Sequence, residues 1–163
     1  MSENSLNYKY RFERLQIWNY NVVNEEKIML SSTKKLMGCF KDPIKEIETI
    51  RQGINAELIE NFLGDQSFVV KDILTSLNIK PSTYFAKKKE HKRLDPATTE
   101  KFLRLFSVVQ NAQEILGPSE AKNWLYRKIS SLGEQIPMDL LDTEAGHRLV
   151  EQALLQIKYG IYN

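Results

Sequence analysis

Apolar residues recur every three or four positions along most of the chain, in blocks punctuated by proline and glycine. That spacing places them on one side of a helix of 3.6 residues per turn. In the first clear block Asp42-Pro43 supplies an N-cap and a first-turn proline; Ile44, Ile47 and Ile50 share a face, and Gly53 is a stop. Leu58, Ile59, Phe62 and Leu63 mark a second helix from Ala56, ended at Gly64. Phe68, Val69, Ile73, Leu74 and Leu77 mark a third. The turn Asn78-Ile79-Lys80-Pro81, pinned by Ile79, leads into a short helix that starts at Pro81 or Ser82 and ends near Lys89. Asp95-Pro96 opens the clearest helix, with Phe102, Leu105, Phe106, Val109, Ala112, Ile115 and Leu116 on one face. It runs to Gly117, roughly 30 Å at 1.5 Å per residue. Gly117-Pro118 closes it and opens the next, Leu132-Gly133 closes another, and Pro137 opens a third. Asp142 or Thr143 caps a last helix whose predicted inner face is Leu149, Val150, Ala153, Leu154, Ile157 and Ile161, with a stop at Gly160.

The pattern predicts an all-α chain in three parts. Residues 1–41 are a leader, 42–95 a helix-turn-helix domain, and 96–163 a small helical domain joined to it through the long helix. The leader is the least readable. Tyr8, Tyr10 and Phe12 alternate as a strand would, while Phe12, Leu15, Trp18 and Val22 fit one helical face. Both readings stay open, and the aromatics point to packing on the body of the same chain.

Composition narrows the class. At 42% hydrophobic residues the chain can bury a core, and its single cysteine, Cys39, rules out an internal disulfide framework and suits a reducing cytoplasm. No apolar run is long enough to span a membrane, and no signal-peptide pattern opens the chain. Net charge is only +2, but residues 80–93 hold six Lys and Arg against one acidic residue. This local excess sits where the second helix of a helix-turn-helix would enter a DNA groove. Lys80, Ser82, Thr83, Tyr84, Lys87, Lys88 and His91 are therefore the candidate DNA contacts, the hydroxyls for bases or phosphates and the lysines for phosphates. That helix has no Arg, Asn or Gln for bidentate base reading, so an adaptor with a decayed helix-turn-helix stays a candidate. One helix-turn-helix reads a half-site, so a homodimer on operator DNA is expected.

Catalytic chemistry finds no support. His147 lies near Asp142 and Glu144 at a spacing typical of a surface group, and two histidines with one cysteine give no usable metal-ligand spacing. No glycine-rich phosphate loop or nucleotide fingerprint occurs, so no catalytic residue, metal or cofactor is expected.

The last third carries a more specific signal. In order it shows Ala112, Leu116-Gly117, Ala121, Trp124-Leu125, Leu132-Gly133, Ile136-Pro137-Met138-Asp139-Leu140-Leu141-Asp142-Thr143, Gly146 and Tyr159-Gly160-Ile161-Tyr162. This run resembles the toxin-binding domain of Xre-like antitoxins, the MbcA/ParS/Xre family of bacterial RES–Xre toxin–antitoxin operons. Where that family often has Asn-Pro and Gly-Gly, Tyr126-Arg127 and Gly133-Glu134 stand here. The resemblance implies a non-enzymatic antitoxin that represses its own operon and blocks a RES-domain toxin acting on NAD. It also implies a toxin contact made by Pro137, Leu140 and the closing residues Lys158, Tyr159, Gly160, Ile161, Tyr162 and Asn163. The competing expectation is a stand-alone transcription regulator whose C-terminal domain dimerises or senses a ligand.

Overall fold

Asp42 caps the first described helix by accepting the backbone N–H groups of Ile44 and Lys45 on its carboxylate, at 3.1 and 3.4 Å. In the computed structural model the described residues are 42–161; the leader 1–41, with its strand-or-helix alternative, lies outside them, as do Tyr162 and Asn163. The described residues are all-α: α1 (Pro43–Gln52), α2 (Ala56–Asp65), α3 (Val70–Ser76), α4 (Pro81–Lys89), α5 (Pro96–Leu116), α6 (Pro118–Tyr126), a 3₁₀ turn (Ser130–Leu132), α7 (Pro137–Leu140) and α8 (Glu144–Tyr159). Extended pairing is limited, among these residues, to two isolated bridges, Asn55 with Arg93 and Ile129 with Gln135.

The helix starts follow the punctuation in the sequence, but two expected stops do not hold: α2 runs through Gly64 to Asp65, and α6 ends at Tyr126, so that Leu132-Gly133 closes only the 3₁₀ turn. Proline occupies the first turn of α1, α4, α5, α6 and α7. Asp95 caps α5 through Thr98 N at 2.9 Å, and Thr143 caps α8 through Gly146 N at 3.1 Å. Gly117 sits between α5 and α6 at φ 84°, ψ 157°, a conformation closed to residues with a Cβ, which lets one helix stop and the next begin without a linker.

α5 is the spine. Phe102, Leu103, Leu105, Phe106, Val108, Val109 and Ala112 are all buried, on more than one side of the helix. One side meets the N-terminal helices, where Phe106 lies 4.1 Å from Phe62 and Phe102 lies 6.0 Å from Tyr84, ring centre to ring centre. The other packs on α6 and α8, whose inward residues are Ala121, Trp124, Leu125, Val150, Ala153 and Leu154. The buried residues form one continuous cluster from Ile54 to Leu154.

Polar bonds tie the same two sides. Buried Thr99 of α5 accepts the N–H of Ile54 at 3.3 Å. Lys101 donates to the Leu77 carbonyl at 2.8 Å, a cation at the C-terminal end of α3 where the helix dipole favours it. Lys122 of α6 donates to Ser67 O at 2.7 Å, Gln113 bonds to Gln66, and Ser76 donates to Asp139 at 3.3 Å.

Five expected inward residues are not inward. Val69 precedes α3 and is exposed, because the helix begins one residue later, at Val70. Ile44 and Ile47 are 64% and 42% exposed, since among the apolar residues of α1 it is Ile50 that packs against the described core. On α8 the buried stripe runs through Gly146, Val150, Ala153 and Leu154, leaving Leu149 52% exposed. Ile161, beyond the Gly160 stop, is exposed as well.

Candidate functional site

Two surfaces hold the residues that the sequence marks for function. The first is α4 with the segment after it. α3, a tight turn and α4 follow one another, and Ile79 in the turn is buried as its apolar character requires. Ser82 and Thr83 are exposed in the first turn of α4, and Lys80 and Lys89 are exposed at its two ends.

Tyr84 corrects the expectation of an exposed contact. It is 1% exposed, its ring packs on Phe102, and its hydroxyl donates to Ala56 O at 3.2 Å. Burial, with Glu60 and Glu57 nearby, pushes its phenol far above the usual range. It is a core residue that ties α4 to α2.

The basic excess is largely answered from within the chain. Lys88 pairs with Glu60 at 2.6 Å, His91 with Glu57 at 3.1 Å, and Lys87 with Asp95 at 3.7 Å. Lys92 pairs with Glu90 at 2.7 Å, and Arg93 donates to Gly53 O at 2.8 Å. The Glu57 carboxyl is held below its ordinary range by its own backbone N–H and by His91. Among the described residues Lys80 and Lys89 form no ion pair. The outer face of α4 thus carries Ser82, Phe85, Ala86 and Lys89, spaced three and four apart, with Phe85 44% exposed at its centre.

The second surface is the outer side of α8 and the residues after it. Pro137 corrects the expectation of a partner contact: with Met138 it is buried in α7, and Leu140 is half-buried against the core. Lys158 is exposed and pairs with Glu114 of α5 at 3.5 Å. Tyr159 is 68% exposed, and Gly160 and Ile161 are open to solvent. Sequence reasoning missed Leu149 and Leu155, the latter 48% exposed. At 100° per residue, Arg148, Leu149, Gln152, Leu155 and Tyr159 fall within an arc of about 120°. The signal was present: α8 has more apolar residues than one inward stripe needs.

Beneath that surface a polar seam joins α8 to α5. Asn111 donates to both oxygens of Glu151 at 3.0 Å, Ser107 reaches Glu151 at 3.4 Å, and His147 Nε2 stands 3.6 Å from it. Arg104 bridges Glu100 at 3.1 Å and Glu144 at 3.4 Å. His147 is thus seated between two helices as part of their packing. Among the described residues no group of three or more His, Cys, Asp or Glu is placed to hold a metal ion, and no helix is long and apolar enough to cross a membrane.

Residues 111–160 match the family model described as the antitoxin Xre/MbcA/ParS C-terminal toxin-binding domain. The match starts late in α5, takes in α6 through α8, and ends at the Gly160 stop. A curated relative, the Prs ADP-ribosylating antitoxin of Sphingobium sp. (strain YBL2), is 27% identical over 130 residues, spanning 74% of this chain and 82% of its own.

Proposed function

Residues 111–160 belong to the Xre/MbcA/ParS family of antitoxin toxin-binding domains, and from that premise we propose that the chain neutralises a cognate toxin by laying the outer side of α8 and the residues after it over the toxin's active site. The observation that carries this reading is the exposed apolar face Leu149, Leu155 and Tyr159 inside the matched segment. Exposed apolar residues grouped on one helix face mark a protein contact rather than ordinary surface. The toxin in this reading is a RES-type enzyme acting on NAD in the cytoplasm. The words "ADP-ribosylating" in the relative's name then refer to the partner's chemistry, and this chain acts by occlusion without catalysis of its own. Lys158, Tyr159, Gly160, Ile161, Tyr162 and Asn163 would follow α8 into the toxin's cleft.

The test is a pair of charge insertions. Leu155→Arg and Tyr159→Arg should each weaken toxin binding by roughly 30-fold or more, as expected when a central apolar anchor is removed. Both positions are exposed, so the melting temperature should stay within the small range usual for surface changes. Titration of each variant into purified toxin, with thermal unfolding alongside, reads both. Wild-type affinity in both variants would sink the assignment of this face.

The same proposal gives α4 an operator-binding role in a homodimer that represses the antitoxin's own operon. The ion pairs described above shift its expected centre. Lys80 and Lys89 are free to meet phosphates, whereas Lys87 and Lys88 already have carboxylate partners. Lys80→Ala/Lys89→Ala should therefore weaken operator binding more than Lys87→Ala/Lys88→Ala does. Its log–log salt slope should flatten by about 0.9 for each phosphate that is no longer neutralised. The reverse ranking would move the DNA face. No operator binding by the unmodified chain would favour the adaptor reading, in which exposed Phe85 meets a protein.

A further inference from the structure

The outer face of α1 has no partner among the described residues. Ile50, at the C-terminal end, packs partly on the core; Ile47 is 42% exposed, and Ile44, in the first turn, is 64% exposed. Exposure thus rises toward the N-terminus of α1, where the chain enters from the leader through Lys41 and Asp42. We propose that residues 12–22 of the leader cover the Ile44–Ile47 face of α1.

Three observations choose this occupant. The leader carries Phe12, Leu15, Trp18 and Val22 at helical spacing, a stripe of the size and period that a helix face takes up. The competing strand-like spacing of Tyr8, Tyr10 and Phe12 finds no strand edge among the described residues. The chain between residues 22 and 42 can reach: twenty residues extend up to about 65 Å, several times the roughly 15 Å length of α1. A second copy is the weaker candidate. Two bare isoleucines expose far less than the roughly 800 Å² per partner of a standard interface.

The experiment is limited trypsin digestion of the full chain, following cleavage after Arg14 by mass, with amide exchange of α1 recorded on the same samples. Covered residues 12–22 are cut slowly, because the protease acts on the open form. Ile44→Asp/Ile47→Asp should raise the cleavage rate ten-fold or more while the α1 amides stay protected. Trp18→Asp, which leaves α1 untouched, should do the same and decides the matter if the α1 variant loses its helix. Cleavage of Trp18→Asp at the wild-type rate overturns the proposal. So does wild-type cleavage that slows as the chain is concentrated, which would assign the face to a second copy.

Discussion

Gly146→Ala is expected to lower the melting temperature by roughly 6–12 °C, from a destabilisation of about 3 kcal/mol at about 2–4 °C per kcal/mol in a chain of this size. Gly146 lies in the first turn of α8, buried against the end of α7. A Cβ there would stand 1.9 Å from the Leu140 carbonyl oxygen and 2.7 Å from its carbon, both backbone atoms. Neither can yield without moving α7 away from α8. The glycine is needed for close approach rather than for an unusual φ, because it is the third residue of a regular helix. Gly64→Ala is the control: a Cβ at Gly64, also helical, meets nothing within 4 Å. That variant should be neutral or more stable by about 0.5–1 kcal/mol. Thermal unfolding followed by circular dichroism separates the two, and equal melting temperatures would show that the α7–α8 corner accommodates a methyl group.

Trp124→Ala should cost about 3–5 kcal/mol, the usual range for removing a large aromatic from a packed core. Trp124 is 2% exposed on α6, one of the largest side chains in the cluster around α5. In urea the midpoint should fall by about 1.5–2.5 M, taking a slope near 2 kcal/mol per molar. Toxin binding would then weaken because the domain unfolds, so the variant separates from the α8 surface variants by its unfolding curve. A loss below about 1 kcal/mol would mean that the α5–α6 contact is looser than the structure describes.

The course of the helices was legible because their ends are written in short-range chemistry. Asp42-Pro43, Asp95-Pro96 and Gly117-Pro118 act on their own backbone and need no partner, and the structure starts or stops helices at each. The side a residue faces was less legible, because that depends on what else is nearby. Leu149 and Val150 are adjacent and both apolar, and helical period alone allows the boundary of the buried stripe to fall either side of Leu149. Tyr84 sits among Ser, Thr and Lys and reads as polar surface, yet its ring reaches Phe102 from α5. The charge run misled for a similar reason. Its partners Glu57 and Glu60 lie about thirty residues earlier, and only the packing of α4 on α2 brings them to His91 and Lys88. The α8 face was half-seen: the tail residues Tyr159 and Ile161 came from the family resemblance, while Leu155 needed the fold.

The double-sided burial of α5 bears on how such a gene can be reshuffled. A recombination joint placed at the natural-looking boundary before Pro96 would hand Phe102 and Phe106 to a new neighbour lacking Phe62 and Tyr84. Such a chimera would emerge with two aromatic rings facing water and with the Thr99 and Lys101 bonds to Ile54 and Leu77 unmade. The module that can be inherited intact is therefore longer than the toxin-binding segment it contains. With the outer side of α8 as the proposed toxin contact, a change of partner would be reached by drift there more readily than by trading domains.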